Sequence, residues 1–205
     1  MEYYKKYIKY KNKYISLKNQ SFATKNYIGG STNEKTYVDF ITKYSNETIR
    51  INTDNNVDII KLLNKHLGNL NNLLICLDFH GVTDLYDIDE KIPSDLPKCV
   101  ISYIGGKEKT IIDTTNAIKS RIMSDEIILG IIVYNKNNIP SCGTKGWIIS
   151  KFADVNKNIK IHFIDDSKKN IQCIENIKSD NIKTHYINKY KNPKKYLTKL
   201  LNTIS

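Results

Sequence analysis

The sequence predicts an α/β fold, a mostly parallel sheet with helices on both faces. Two observations carry that expectation. From residue 72 onward, short apolar runs alternate with stretches of helical periodicity, the pattern of strands buried beneath crossover helices. In addition, three of the runs end in a residue suited to chemistry, Asp78, Ser102 or Asp165. Ligands of parallel α/β sheets bind beyond the carboxyl ends of the strands.

The elements follow in order. Residues 1–20 hold Tyr3, Tyr7, Tyr10, Tyr14 and Leu17 at spacings of four and three, one face of a helix, with six lysines and one acid, Glu2. Such a helix docks on its own domain or a partner, or serves as a targeting tag or a polyanion-binding arm. Gly29-Gly30-Ser31-Thr32-Asn33 reads as a linker, so residues 1–35 form a basic helix and linker. Residues 36–71 form an upstream strand and helix element packing on the core. Thr48–Asn52 alternates like a strand, Asp54-Asn55-Asn56 is turn-like, and Val57, Ile60, Leu63 and Leu67 mark a helix that Gly68 ends. The main domain spans 72–205. Its expected strands are Leu73–Leu77, Cys99–Tyr103, Ile127–Tyr134, Ile159–Ile164 and His185–Ile187. Its expected helices are Ile111–Ile122, with Ile111, Thr115, Ile118 and Ile122 on one side, Lys145–Ala153, one capped by Ser167 and bearing Ile171, Ile174 and Ile177, and a last one opened by Asn192-Pro193.

Bulk properties narrow the function. The net charge is +11, and residues 1–35 carry eight lysines against Glu2 and Glu34. The excess suits a polyanion such as nucleic acid, reached through the basic N-terminus, although the joint richness in Lys, Asn, Ile and Tyr also fits an AT-rich genome. The longest apolar stretch, Ile127 to Tyr134, is far short of the ~20 residues that span a bilayer. No secretory signal is visible, and Cys76, Cys99, Cys142 and Cys173 form no C-x-x-C pair. A soluble, intracellular protein without membrane partners and without a structural metal is expected.

The chemistry is expected at one sheet edge. Asp78 follows the first strand of the main domain in Asp78-Phe79-His80-Gly81-Val82-Thr83-Asp84. Ser102 ends the second, Lys145 opens a helix after Ser141-Cys142-Gly143-Thr144, and Asp165-Asp166 ends the fourth. Carboxylates hold a hard cation through oxygen and can act as nucleophiles. Lysine and hydroxyl stabilise a transferring phosphoryl group.

These residues resemble the motifs of the haloacid-dehalogenase-like superfamily of phosphohydrolases. The stretch Leu-Ile-Cys-Leu-Asp78-Phe-His80-Gly-Val-Thr-Asp84 is similar to its first motif, an apolar strand followed by D-x-D-G-[TV]. Val100-Ile101-Ser102 is similar to the second, Lys145 to the third, with Lys151 a poorer alternative, and Ile161-His162-Phe163-Ile164-Asp165-Asp166 to the fourth. The Lys/Tyr-rich opening also resembles the start of many proteins of giant DNA viruses, which would place the chain in host cytoplasm or virion.

The first resemblance implies a three-layer Rossmannoid sheet and a magnesium-dependent phosphatase. By position it makes Asp78 the nucleophile and a metal ligand, and the backbone carbonyl of His80 a second ligand. Asp165, with Asp166, completes the metal site; Ser102 and Lys145 bind the substrate phosphate. One departure stands out. The family places Asp where this chain has His80, which is either a substitute general acid and base or the mark of a decayed enzyme. Asp78 and Ser102 are 24 residues apart and Ser102 and Lys145 are 43 apart, which leaves no room for a large cap. An open site suits a bulky, phosphorylated, macromolecular substrate. The other class open to the sequence is a binding or structural protein that keeps the fold without turnover, associated with nucleic acid or a virion. His66, His162 and His185 lie in apolar patterns and read as structural.

Overall fold

The computed structural model describes residues 36–43, 48–105, 108–124, 126–135, 142–188 and 191–204. The expected N-terminal helix and linker, with Ser141, lie outside the described residues. All that is described belongs to one compact unit, Glu34–Ser205.

Seven strands form one sheet: β1 (Tyr37–Thr42), β2 (Thr48–Asn52), β3 (Leu73–Leu77), β4 (Lys98–Gly105), β5 (Leu129–Asn135), β6 (Lys160–Asp165) and β7 (Ile182–Tyr186). Their order is β2-β1-β5-β4-β3-β6-β7. The five strands from β5 to β7 pair in parallel. Residues 37–42 and 48–52 enter the sheet itself as an antiparallel strand pair whose β1 also pairs with β5. The sequence Tyr-Val-Asp-Phe-Ile-Thr of β1 is rich in β-branched and aromatic residues, and five of its six residues are buried.

Among the described residues five α-helices cover both faces: α1 (Asn56–Leu67), α2 (Glu108–Met123), α3 (Cys142–Val155), α4 (Lys168–Glu175) and α5 (Pro193–Ile204). On one face α1, α3 and α4 pack Ile59, Leu63, Ile148, Phe152, Ile171 and Ile174 against Leu74, Cys76, Ile101 and Phe163. On the other, α2 and α5 pack Ile118, Ile122, Leu197 and Leu201 against Ile75, Leu77, Val100 and Ile164. The α/β architecture expected from the alternating pattern is therefore present.

Three local readings need correction. In α1 the buried stripe is Ile59, Leu63 and Leu67, so the expected Leu63 and Leu67 are on it, whereas Ile59 stands where Ile60 was expected and Val57 is 76% exposed. A spacing of four aligns the buried three on one face, whereas Val57, two residues before Ile59, points to the other side of the helix. Ile177 packs on the core from just past the end of α4. In α2 the buried set is Thr114, Ile118, Arg121 and Ile122.

The connection from β3 to β4 carries no α-helix, only a 3-10 turn at Thr83–Leu85. A buried ion pair holds it down. Arg121 Nη1 donates to Glu126 Oε2 and to the Glu90 carbonyl, both at 2.9 Å, and Nη2 donates to the Tyr86 carbonyl. The Ile92 amide donates to Glu126 Oε1 at 3.2 Å. Each side chain of the pair is 4% exposed. Removing one partner strands the other charge in the core, which costs about 3–5 kcal/mol. Arg121→Ala is thus expected to lower the free energy of unfolding by that amount in urea titration. A change under about 1 kcal/mol, the worth of an exposed pair, would show that the clamp is not what holds the loop.

The cysteines divide. Cys76 and Cys99 are free and buried, with sulfurs 3.2 Å apart on paired strands. Cys173 is disulfide-bonded, which removes cysteine usage as an argument for a reducing compartment. No helix among the described residues is long and apolar enough to cross a membrane.

Candidate metal and phosphate site

The strand order reverses at β3. The chain runs outward one way through β4 and β5 and the other way through β6 and β7. The crevice between β3 and β6 is thus the topological switch point, where such sheets bind ligands. Asp78 follows β3 and Asp165 ends β6, so both carboxylates stand at that crevice.

Alternation sets their direction. Asp78 shares parity with Leu74 and Cys76, and Asp165 with Ile161 and Phe163, all on the face covered by α3. In α3, Ile148, Ile149 and Phe152 face that core, and Lys145 precedes them by three, four and seven residues on the same side. Its stem runs inward, and its ammonium bridges Asp78 Oδ1 and Asp165 Oδ2, both at 2.8 Å. Lys145 is 2% exposed. Helix α3 begins at Cys142, three residues before the expected start, so Lys145 lies in its first turn.

The carboxylates are further fixed. The Phe79 amide donates to Asp78 Oδ1 at 2.7 Å, and Thr83 Oγ1 donates to the Asp78 carbonyl at 2.7 Å. The Ser167 amide donates to Asp165 Oδ1 at 2.7 Å, and Asn170 Nδ2 to Asp165 Oδ2 at 2.9 Å. Asp166 completes a group in which one carboxylate oxygen each from Asp78, Asp165 and Asp166 lie within 4.8 Å of one another. Burial pushes the Asp78 carboxyl up to about 7; Lys145 opposes this, and Asp165 and Asp166 add to it. Burial also disfavours the Lys145 ammonium, but Asp78 and Asp165 outweigh it and hold its pKa above the ordinary lysine value.

The donors fit a hard divalent cation. All three are carboxylate oxygens, the ligand type magnesium takes. Three carboxylates against one ammonium leave two negative charges for an ion to neutralise. Gly81 adds a geometric reason. Its φ is +86°, a conformation glycine adopts without strain, and a Cβ there would sit 2.4 Å from Asp166 Oδ2, so the backbone after His80 passes close to the third carboxylate. That stretch is the one from which the family resemblance takes a carbonyl ligand.

Two expected site residues are placed differently. Ser102 lies on β4 with the parity of Val100 and Ile104, the face opposite to that of Asp78. It is fully buried, and its hydroxyl has no hydrogen-bond partner. His80 turns to Asp84, with Nδ1 3.6 Å from Oδ2, and to Thr114, with Nε2 3.5 Å from Oγ1. Lys151, the alternative to Lys145, pairs with Asp154 outside the site. His162 and His185 hydrogen-bond to each other at 3.0 Å, and burial lowers both, His185 to about 4.

Asn170 and Thr83 were not foreseen. The one signal for Asn170 was its place three residues after Ser167, whose hydroxyl accepts from the Asn170 amide at 3.4 Å. That capping position puts the side chain over Asp165.

Searches against family models, curated proteins and solved structures find no match to this chain.

Proposed function

We propose that the protein is a magnesium-dependent phosphohydrolase of the haloacid-dehalogenase-like type, working through an aspartyl-phosphate at Asp78 on a bulky phosphorylated substrate. The observation that carries this reading is the Lys145 ammonium, 2.8 Å from both Asp78 and Asp165 at the switch point of the sheet, with Asp166 beside them. Two carboxylates and a lysine gathered there match the chemistry of phosphoryl transfer, which is mostly positioning and charge stabilisation.

In this reading Asp78, Asp165 and Asp166 hold the cation. When bound, it offsets the charge of the phosphate and of the carboxylates. Lys145 and the Phe79 amide fix the Asp78 carboxylate, and Lys145 favours its ionised form against burial. The carboxylate attacks phosphorus, the bond to the leaving oxygen breaks, and that oxygen takes a proton. Water then attacks the phosphorus of the acyl-phosphate, releasing inorganic phosphate and restoring Asp78. His80 supplies the proton to the leaving group and accepts one from the attacking water. Its side chain is 46% exposed, so it can turn toward a substrate.

The position of His80 also favours a second reading, a binding protein that has kept the site and lost turnover, because its ring contacts Asp84 and Thr114 instead of the carboxylate cluster. Two variants separate the readings. In a screen of nucleotides, phosphopeptides and phosphorylated oligonucleotides, His80→Ala is expected to lower magnesium-dependent turnover by roughly 10²–10⁴-fold, the scale of general acid catalysis. His80→Asp is expected to retain or raise it. Activity that appears only in His80→Asp would identify the natural protein as the binding form.

A further inference from the structure

The positive charge is not spread over the molecule. Residues 36–180 hold eighteen basic and nineteen acidic residues, whereas 181–205 hold six lysines and no acid. A compositional drift toward lysine acts on the whole chain and does not empty one stretch of acids. Helix α5 turns this stretch into a surface. Leu197 and Leu201 are buried in the core, which fixes the helix's rotation and leaves Lys195, Lys199 and Asn202 exposed. Positions i, i+4 and i+7 form one row, about 10 Å long at 1.5 Å per residue. With Asn192, Lys194 and Thr198 they line a groove. The side chains of Lys and Asn offer hydrogen-bond donors to phosphate oxygens. Glu90 reaches this face, and Lys194 neutralises it.

The row is tied to the site. The Ile187 amide donates to the Asp165 carbonyl at 3.0 Å. Asn192 follows five residues later, within about 17 Å even for a fully extended chain. At the other side Tyr86, eight residues after Asp78, contacts Thr198 Oγ1 at 2.6 Å through its hydroxyl and lies under the Lys194 ammonium, 4.9 Å from the ring centre.

We propose that the α5 lysine row is a track for the phosphate backbone of a nucleic-acid strand, leading its phosphorylated end to Asp78. The assignment of the end rests on the phosphohydrolase reading; the track itself does not. A row whose charge comes from ammonium groups holds strands mainly through their phosphates, and its signature is salt dependence.

The test is fluorescence anisotropy of a short labelled single-stranded oligonucleotide with the full chain, from about 50 to about 200 mM salt. Lys195→Ala with Lys199→Ala is expected to lower the slope of log affinity against log salt by about 1.4, at about 0.7 per phosphate contact on a single strand. Over that fourfold range the variant then loses about sevenfold less affinity than the parent. Lys61→Ala with Lys65→Ala, on exposed positions of α1 across the sheet, is the charge-matched control and leaves the slope unchanged. Equal effects in both pairs, or none in either, would overturn the track. So would a greater loss of binding to a phosphopeptide or an anionic vesicle than to the oligonucleotide. A phosphorylated oligonucleotide that binds through α5 but is never dephosphorylated, while another substrate in the screen is, supports the track and overturns the delivery of its end to Asp78.

Discussion

Asp78→Asn is expected to abolish magnesium-dependent phosphate release from every substrate the parent hydrolyses, while the protein stays folded. The carboxylate is the nucleophile and one of three cation ligands, and an amide replaces it in neither role. The fold survives because the amide keeps the size of the carboxyl and can accept from the Phe79 amide and Lys145, which hold Oδ1 at 2.7 and 2.8 Å. It also removes a charge whose burial is unfavourable. Circular dichroism and a melting curve check folding, and phosphate release with the best substrate of the parent checks chemistry. Residual turnover within tenfold of the parent would move the nucleophile elsewhere. Asp165→Asn makes a useful companion, since Asp165 holds Lys145, Asn170 and the Ser167 amide. It is expected to weaken magnesium dependence and stability together.

Most of the parallel sheet was legible because its strands are continuous apolar runs buried on both faces. Leu73–Leu77 was read at its observed bounds. What was missed lay where burial is one-sided or the chain leaves regular structure. Strand β1 contains a buried charge, Asp39, which breaks the apolar run. Arg50 meets it from β2 at 2.8 and 3.0 Å, a partner that sequence spacing does not disclose. In α1 Leu63 and Leu67 were legible, but Val57 and Ile60 were read in place of Ile59 because all three are apolar, and only the docking of the helix chooses among them. At the site, Asp78, Lys145 and Asp165 were legible as residues following strands or opening a helix. The turn of His80 toward Thr114 was not, since it depends on where α2 passes. Ser102 was expected to end its strand, but β4 continues to Gly105, and the face it takes depends on the register of β4 against β3, with Leu77 opposite Val100.

The metal-free protein is expected to lose stability as pH rises from about 4 to about 7, and magnesium is expected to restore it. The sign follows from Asp78. Its carboxyl titrates near the ordinary value of 3.8 when unfolded and is pushed up to about 7 when folded, chiefly because burial disfavours the anion. Below the lower value both states are protonated and no penalty exists. Between the two the native state binds more protons than the unfolded chain, so stability falls with pH. Above the folded value the full penalty is present and the curve flattens. A gap of about three pKa units corresponds to on the order of 4 kcal/mol, a large share of the 5–15 kcal/mol typical of a domain. A bound divalent ion reverses the preference by favouring the carboxylate, so saturating magnesium should raise the melting temperature more at pH 7.5 than at pH 5. Asp78→Asn should flatten the metal-free profile over the same window. The measurement is a set of urea titrations across that pH range, with chelator and with magnesium. A metal-free profile that stays level from pH 4 to pH 7 would show that Asp78 is ionised throughout, with Lys145 alone sufficient to hold its charge.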